Sequence, residues 1–290
     1  MNNRIHTIKV VTHSGTVEMA RFMEENKADS YMSDHDYFHR PDGERLDSDW
    51  SGAETIGQFK DLMWSGVSDA DLLALYKNRI REANMGVGVR KEPKVSVAGG
   101  SVIVPRYVAG IPTCMRKMAK VERPKKTIHL VMDITVSCRY SAEEVTKAST
   151  YVAAAIERVI RLGYSVRLDV LGTAYCNSEH VVIISGVTVK GYCDHLSNPR
   201  LAFWCGHPAA LRGAMFAHWA ARSDMPEYEA GWSLGCGLNY AVPMHERDAV
   251  YRKVFGDDVI PISLADLLKR GYRTDEEWMD GLQTTLLGAD

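Results

Sequence analysis

The stretch IHLVMDITVSC, residues 128–138, holds the most specific arrangement of chemical groups in the sequence. A run of apolar residues ends at Asp133, and Thr135 and Ser137 follow at alternate positions. A carboxylate and two hydroxyls are hard oxygen donors of the kind that Mg²⁺, Ca²⁺ and Mn²⁺ prefer. Alternate spacing in an extended loop lets the three side chains converge on one point. The simpler alternative is that they cap backbone groups where a strand turns toward a helix.

The elements around this stretch predict an α/β fold. IHLVMDI is almost continuously apolar, as in a central strand that is covered on both faces. Ser141 and Glu144 form a capping box that begins a long helix, and Gly163 suits its end. The strands YSVRLDVLG and VVIISGVTV follow as a hairpin, and DDVIPIS is a further buried strand. We therefore predict a doubly wound, mostly parallel sheet, with Asp133 at the carboxyl end of a central strand, where ligands bind in such sheets.

The pattern Asp133-x-Thr135-x-Ser137 resembles the metal-ion-dependent adhesion site of von Willebrand factor A domains, D-x-S-x-S. The element order over residues 127–268 is similar too: central strand, long helix, strand and antiparallel edge strand. The resemblance implies binding of a protein partner, often through a divalent cation whose coordination the partner's acid completes. It also implies a later threonine and a later aspartate, for which Thr173 and Asp194 are the nearest candidates, although neither lies in a matching motif. A degenerate Mg²⁺ or Mn²⁺ site would thus use Asp133, Thr135, Ser137, Thr173 and Asp194.

Residues 1–126 differ in character from residues 127–290 and are predicted to form a smaller N-terminal region. Helical periodicity runs through residues 50–85, and β-branched runs near 94–98 and 101–104 flank Gly99-Gly100, which predicts a β-hairpin. A basic segment then leads into the sheet. It is either a solvated linker or a surface for the phosphates of single-stranded DNA. Its basic residues are Arg116, Lys117, Lys120, Arg123, Lys125 and Lys126.

Composition narrows the classes of protein. The formal net charge of -2 provides no global attraction to nucleic acid or to a membrane surface. No window approaches the roughly 20 apolar residues of a membrane span, and no signal peptide is recognisable, so we expect a cytoplasmic protein without a membrane partner. Cys193, His195 and Cys205 match no common zinc spacing. GIPTCM and LGYSVRLDV are similar to uncharacterised proteins of tailed bacteriophages and mobile elements, which implies the host cytoplasm.

Motif content favours a protein that is not an enzyme. Neither GxxxxGK[ST] nor GxGxxG marks a nucleotide site, and no G-x-S-x-G marks a hydrolase. His218 lies on an apolar helix and is interpreted as a satisfied core residue rather than a base. The leading hypothesis is a protein-interaction module, with or without a divalent cation, that contacts its partner at the Asp133 loop as a bacteriophage accessory protein. The alternatives are a single-stranded DNA-binding protein that uses the basic segment, and a metal-dependent hydrolase that uses the Asp133 loop.

Overall fold

The structure is a computed structural model that describes residues 5, 7–26, 52–53, 56–83, 91–120, 126–137, 139–176, 179–195, 197–224, 237–270 and 275–287. Its strands are β1 (Thr7–His13), β2 (Lys91–Ser96), β3 (Ser101–Val102), β4 (Met115–Lys120), β5 (Thr127–Asp133), β6 (Ser165–Cys176), β7 (Val181–Lys190) and β8 (Val259–Ser263). The helices of the first half are α1 (Thr16–Glu25), α2 (Ile56–Ser65), α3 (Ala70–Ala83) and α4 (Val104–Val108). Those of the second half are α5 (Ala142–Arg161), α6 (Asn198–Gly206), a π-helical segment (Ala210–Met215) that continues into α7 (Phe216–Ala220), α8 (Leu238–Ala241), α9 (Met244–Phe255), α10 (Leu264–Arg270) and α11 (Asp275–Leu287).

The main sheet has five strands in the order β1-β7-β6-β5-β8. Among these strands three neighbouring pairs are parallel, and the pair of β6 and β7 is antiparallel. β5 lies between β6 and β8 and is covered by helices on both faces, which explains why its sequence is almost continuously apolar. The predicted α/β fold with a mostly parallel sheet is confirmed, and the arrangement is compatible with double winding.

The N-terminal strand β1 extends the sheet beyond its predicted edge. Residues Thr7–His13 pair in parallel with Val181–Val187, so β7, which we predicted at the edge, is an inner strand. Met19 of α1, Phe59 of α2 and Tyr76 of α3 also lie in the same hydrophobic core as α5. The predicted division into residues 1–126 and 127–290 therefore does not separate two cores, because β1 and three early helices complete the α/β body.

The two faces of the main sheet are covered unequally. Even-numbered residues of β5, such as Leu130 and Met132, face the larger core, which includes α1–α3, α5–α7, α10 and α11. Val131 faces a smaller core that α8 and α9 close through Leu238 and Tyr251. Because side chains alternate along a strand, Asp133 points to the same side as Val131, toward α9.

The long helix α5 begins where its sequence signal places it. Glu144 donates its backbone N–H to the Ser141 hydroxyl at 3.2 Å, and the Glu144 carboxylate accepts the backbone N–H of Ser141 at 2.9 Å. This reciprocal capping box fixes the start of the helix directly after the β5 loop. The loop that carries Asp133, Thr135 and Ser137 is thus held between a strand end and a defined helix start.

Residues 91–120 form a separate three-stranded antiparallel sheet, in which β4 lies between β2 and β3. We call this segment, with the short helix α4, the β2–β4 unit. The predicted hairpin between β2 and β3 is wrong, since these strands pair with opposite sides of β4 rather than with each other. Gly99 explains the crossing: a side chain there would overlap the main-chain oxygen of Arg116. Gly100 then donates its N–H to that oxygen at 3.1 Å.

Candidate functional site

Asp133 lies where the strand order of the main sheet reverses. It is the last residue of β5, opposite Leu171 of β6 on one side and Ser263 of β8 on the other. From β5 the chain crosses through α5 to β6, and it later returns to the other side of β5 as β8. In open α/β sheets this reversal creates a crevice at the carboxyl ends of the strands, which is where ligands bind.

The Asp133 carboxylate is fully buried and accepts three hydrogen bonds. Its Oδ1 accepts the backbone N–H of Thr135 at 2.9 Å. Its Oδ2 accepts the hydroxyl of Thr173 from β6 at 2.9 Å and the hydroxyl of Tyr251 from α9 at 2.7 Å. Both oxygens are therefore occupied by donors from the loop, the neighbouring strand and the covering helix.

Burial dominates the electrostatics of this carboxylate. It raises the pKa of Asp133, while the hydrogen bonds from Tyr251, Thr135 and Thr173 act in the opposite direction. Burial and the adjacent carboxylate also raise the pKa of Tyr251 well above its usual range. Tyr251 therefore keeps its proton and remains a hydrogen-bond donor to Asp133.

The two hydroxyl residues of the motif are also turned toward the protein. The Thr135 hydroxyl accepts the backbone N–H of Thr173 at 2.8 Å, and the backbone oxygen of Thr135 accepts the Asn239 amide at 2.5 Å. The Ser137 hydroxyl accepts the backbone N–H of Arg139 at 3.3 Å. These contacts match the simpler sequence interpretation, in which the side chains cap backbone groups at the end of the strand.

Asp194 lies at the opposite end of the strands from Asp133, which corrects its assignment as a ligand beside Asp133. It follows β7 and accepts the backbone N–H of Gly191 at 2.7 Å within a turn. The adjacent Tyr192 oxygen accepts the hydroxyl of Ser165, the first residue of β6. Asp133 instead faces Leu171, six residues further along β6, and this corresponds to about 20 Å at the usual rise per residue.

The donor set near Asp133 does not fit a resident Mg²⁺ or Mn²⁺ ion. Asp133, Thr135 and Thr173 do come together, but Asp133 contributes a single carboxylate whose two oxygens already accept protein hydrogen bonds. Divalent cations of this kind normally take several oxygen ligands and displace such donors. Among the described residues, no group of three or more His, Cys, Asp and Glu side chains could hold a metal ion.

The basic segment, predicted as either a linker or a phosphate-binding surface, contributes residues 116–120 to β4, the central strand of the β2–β4 unit. Arg116 and Lys117 are exposed on β4, and Lys117 pairs directly with exposed Lys94 of β2. Lys120 is the last residue of β4, and Lys126 is exposed just before β5. Arg123 and Lys125 lie outside the described residues. Within the described part of the segment, residues 116–120 are strand, and the sheet presents Arg116 and Lys117.

The β2–β4 unit also exposes an unusual amount of apolar surface. None of its residues from 93 to 118 is buried. Half of the sixteen large hydrophobic residues that are exposed in the described chain belong to this unit. They are Val95, Val97, Val102, Val104, Tyr107, Val108, Ile111 and Met118. Since soluble proteins rarely leave large apolar patches uncovered, this concentration makes the β2–β4 unit a candidate interaction surface.

A buried hydrogen-bond chain joins β1, β7 and α7. Arg222 donates to the Ser185 hydroxyl at 3.2 Å, and Ser185 contacts His218 Nδ1 at 2.8 Å. His218 Nε2 in turn lies 2.8 Å from Nε2 of His13. Burial lowers the pKa of His218 to about 3, so the ring is neutral and shares hydrogen bonds inside the core. The interpretation of His218 as a satisfied core residue is confirmed.

The residues of α9 near Asp133 were not predicted from the sequence. Tyr251 and Arg247 lie four positions apart, on one face of the helix, and both are almost completely buried. Arg247 forms an ion pair with Asp266 of α10. The spacing of Arg247 and Tyr251 was the available signal in the sequence. It was weak, because a tyrosine and an arginine at helical spacing are also typical of a partly exposed helix face.

The fold and these sites define an α/β protein with a mixed five-stranded sheet, a buried carboxylate network at the strand reversal and an exposed basic sheet. The chain belongs to the family described as Domain of unknown function (DUF7192), whose model matches residues 11–260. That range begins within β1 and ends within β8, so it covers β5, β6 and β7 completely and β1 and β8 in part. No curated protein and no solved structure matches the chain. None of the described helices is long and apolar enough to cross a membrane.

Proposed function

We propose that the protein is a non-enzymatic protein-interaction module and that the β2–β4 unit contacts the partner. The observation that supports this proposal is the absence of any buried residue between positions 93 and 118. A small sheet normally needs one apolar face packed against another element to be stable. A partner that covers the exposed valines, Tyr107 and Met118 would supply that missing layer.

Charge indicates which partner fits. Residues 93–118 include Lys94, Arg106, Arg116 and Lys117 and contain neither aspartate nor glutamate. Lys94 and Lys117 are direct cross-strand neighbours, and like charges directly opposite each other destabilise a sheet. An acidic partner would relieve this repulsion, whereas a second copy of the chain would bring the same four positive charges to the contact.

The apolar side chains favour a protein over a nucleic acid. Six of the eight exposed hydrophobics in the unit are valine or isoleucine, and Tyr107 is the sole aromatic among them. Proteins that bind single strands rely on aromatic side chains on which successive bases stack. We therefore propose a protein surface with acidic and apolar residues as the partner, and the α/β body serves as a rigid support.

This proposal moves the contact surface away from the Asp133 loop of the original hypothesis. Asp133 is buried, and the loop after it is tied to α8 through Asn239 and Tyr240. The Asp133 network then stabilises the support, and the contact needs no cation. A bacteriophage accessory role in the host cytoplasm stays a prediction.

Binding of two labelled probes tests the proposal. The first is an amphipathic peptide of alternating glutamate and leucine, and the second is oligo-dT of the same net charge. We expect the peptide to bind at physiological salt, and Lys94→Glu combined with Lys117→Glu to weaken binding about tenfold, which is about 1.4 kcal/mol. Lys147→Glu, an exposed position on α5, is the matched control and should leave binding unchanged.

Single-stranded DNA binding is the second candidate function. Tyr107 is 67% exposed and adjoins Arg106, which offers one stacking surface beside a cation. Tighter binding of oligo-dT than of the peptide, with a steep loss of affinity as salt rises, would favour this candidate and contradict the protein-interaction proposal. A concentration-dependent dimer that the charge reversals abolish would contradict it as well.

A further inference from the structure

We infer that the cleft beside β8 is a binding site for a small molecule with an anionic head group and an apolar body. This site is separate from the β2–β4 unit, and the inference does not depend on the proposed function. A cavity of about 270 Å³ lies between β8 and helices α9, α10 and α11. Its volume is close to the lower end of the usual range for ligand pockets, about 300–1,000 Å³.

The cleft occupies the position where this topology favours a ligand. Ser263, which ends β8 opposite Asp133, lines it, and so does Tyr251, which donates to the Asp133 carboxylate. β8 is the outer strand of the main sheet, so no other described strand covers this side of it. The crevice at the strand reversal therefore continues into a cavity.

Arg247 provides the main indication of an anion. Its side chain is almost completely buried and lines the cavity. Its Nε has no hydrogen-bond partner within the described part of the chain, and Oδ1 of Asp248 is 4.0 Å from it. A buried donor without an acceptor is unfavourable and rare in native proteins. A ligand oxygen in the cleft would accept this N–H.

The charged side chains that line the cleft have a net positive charge. Arg247, Arg252 and Arg270 line it against Asp248 and Asp266. Asp266 is already paired with Arg247. Arginine forks suit carboxylate and phosphate oxygens because two parallel N–H groups can bind them together.

Apolar side chains provide the rest of the wall. Met244, Ile260 and Leu267 line the cleft together with Pro261. Met244 is 55% exposed, so its side chain lies at the surface. An inorganic anion would leave this surface uncovered, whereas an aryl or alkyl group attached to the anion would cover it.

Benzyl phosphate, benzyl alcohol and inorganic phosphate are suitable probes, with sodium chloride at matched ionic strength as the reference. Titration calorimetry and thermal unfolding of the full chain should show that benzyl phosphate binds at least tenfold more tightly than either fragment. Arg252→Gln should reduce this affinity about tenfold without loss of folding, since Arg252 is exposed. The control Lys253→Gln alters an exposed neighbour that does not line the cleft.

Equal binding of benzyl phosphate and benzyl alcohol would overturn the inference, because the anion would contribute nothing. Unchanged affinity in Arg252→Gln would also overturn it, as would stabilisation no greater than that by chloride. The charge reversals at Lys94 and Lys117 should leave benzyl phosphate binding intact. This separates a failure of the cleft from a failure of the proposed protein contact.

Discussion

Substitution of Asp133 tests whether its carboxylate is structural. Asp133→Ala removes the acceptor of the Thr135 N–H and of the Thr173 and Tyr251 hydroxyls. A buried donor left without an acceptor costs about 1–3 kcal/mol, and we expect the free energy of unfolding to fall by about 3–5 kcal/mol in total. The two hydroxyls can rotate toward other acceptors, which keeps the loss below the sum of three full penalties for unsatisfied donors.

Asp133→Asn should behave differently from Asp133→Ala. The amide oxygen can keep the Thr135 N–H, and the amide NH₂ can donate to the hydroxyls of Thr173 and Tyr251 once these reverse their direction. The neutral amide also removes the burial penalty that raises the pKa of Asp133. We expect the stability of this variant to lie within about 1 kcal/mol of the original.

Urea unfolding at pH 7, followed by circular dichroism, measures both variants against the unchanged protein. Equal slopes of free energy against urea would show that the same surface is exposed in each case. Two results would refute the reasoning. Equal loss in the asparagine and alanine variants would mean that the negative charge itself stabilises the fold. A loss below about 1 kcal/mol in the alanine variant would mean that the three donors do not need this acceptor.

Three further predictions follow from the structure. Millimolar Mg²⁺ or Mn²⁺ should shift the melting temperature of the original protein and of Asp133→Asn equally, and a shift confined to the original would establish a cation at Asp133. Burial lowers the pKa of His218 to about 3 and of His207 to about 4, so the stabilisation that depends on these neutral rings should be complete above pH 6.5 and fall as the pH drops. At pH 5 each histidine should lower the free energy of unfolding by about 2 kcal/mol relative to pH 7.5, as measured by urea unfolding. A flat profile of stability against pH would contradict this. Gly99→Ala should increase hydrogen exchange in the β2–β4 unit, because its side chain meets the Arg116 backbone, whereas Gly100→Ala, where space is open, should not.

Local signals in the sequence predicted the central part of the fold correctly. The apolar run of β5 and the capping box of Ser141 and Glu144 act within a few residues, so their meaning does not depend on distant parts of the chain. The antiparallel pairing of β6 and β7 also follows from a short connection. These features were sufficient to place Asp133 at the carboxyl end of a central strand.

Contacts between residues far apart in the sequence explain which predictions about the site and the strand pairing were wrong. Tyr251 is 118 positions from Asp133 in the sequence, and no residue near Asp133 predicts their hydrogen bond. Asp194 was predicted to lie beside Asp133 because sequence order does not reveal at which end of the strands a turn lies. The strand MRKMAK was not predicted, because its cations mask the strand pattern. The sequence therefore predicted that β2 and β3 pair with each other, whereas both pair with β4.

The place of β1 in the sheet affects how the chain folds during synthesis. β1 pairs with β7, which the ribosome makes about 170 residues later, and at 5–20 residues per second this takes roughly 10–35 seconds. Throughout that interval the segment TIKVVTH has its backbone donors and acceptors unpaired with their final neighbour. Until β7 is made, this segment is free to pair with other chains, so the topology itself creates a period of susceptibility to aggregation.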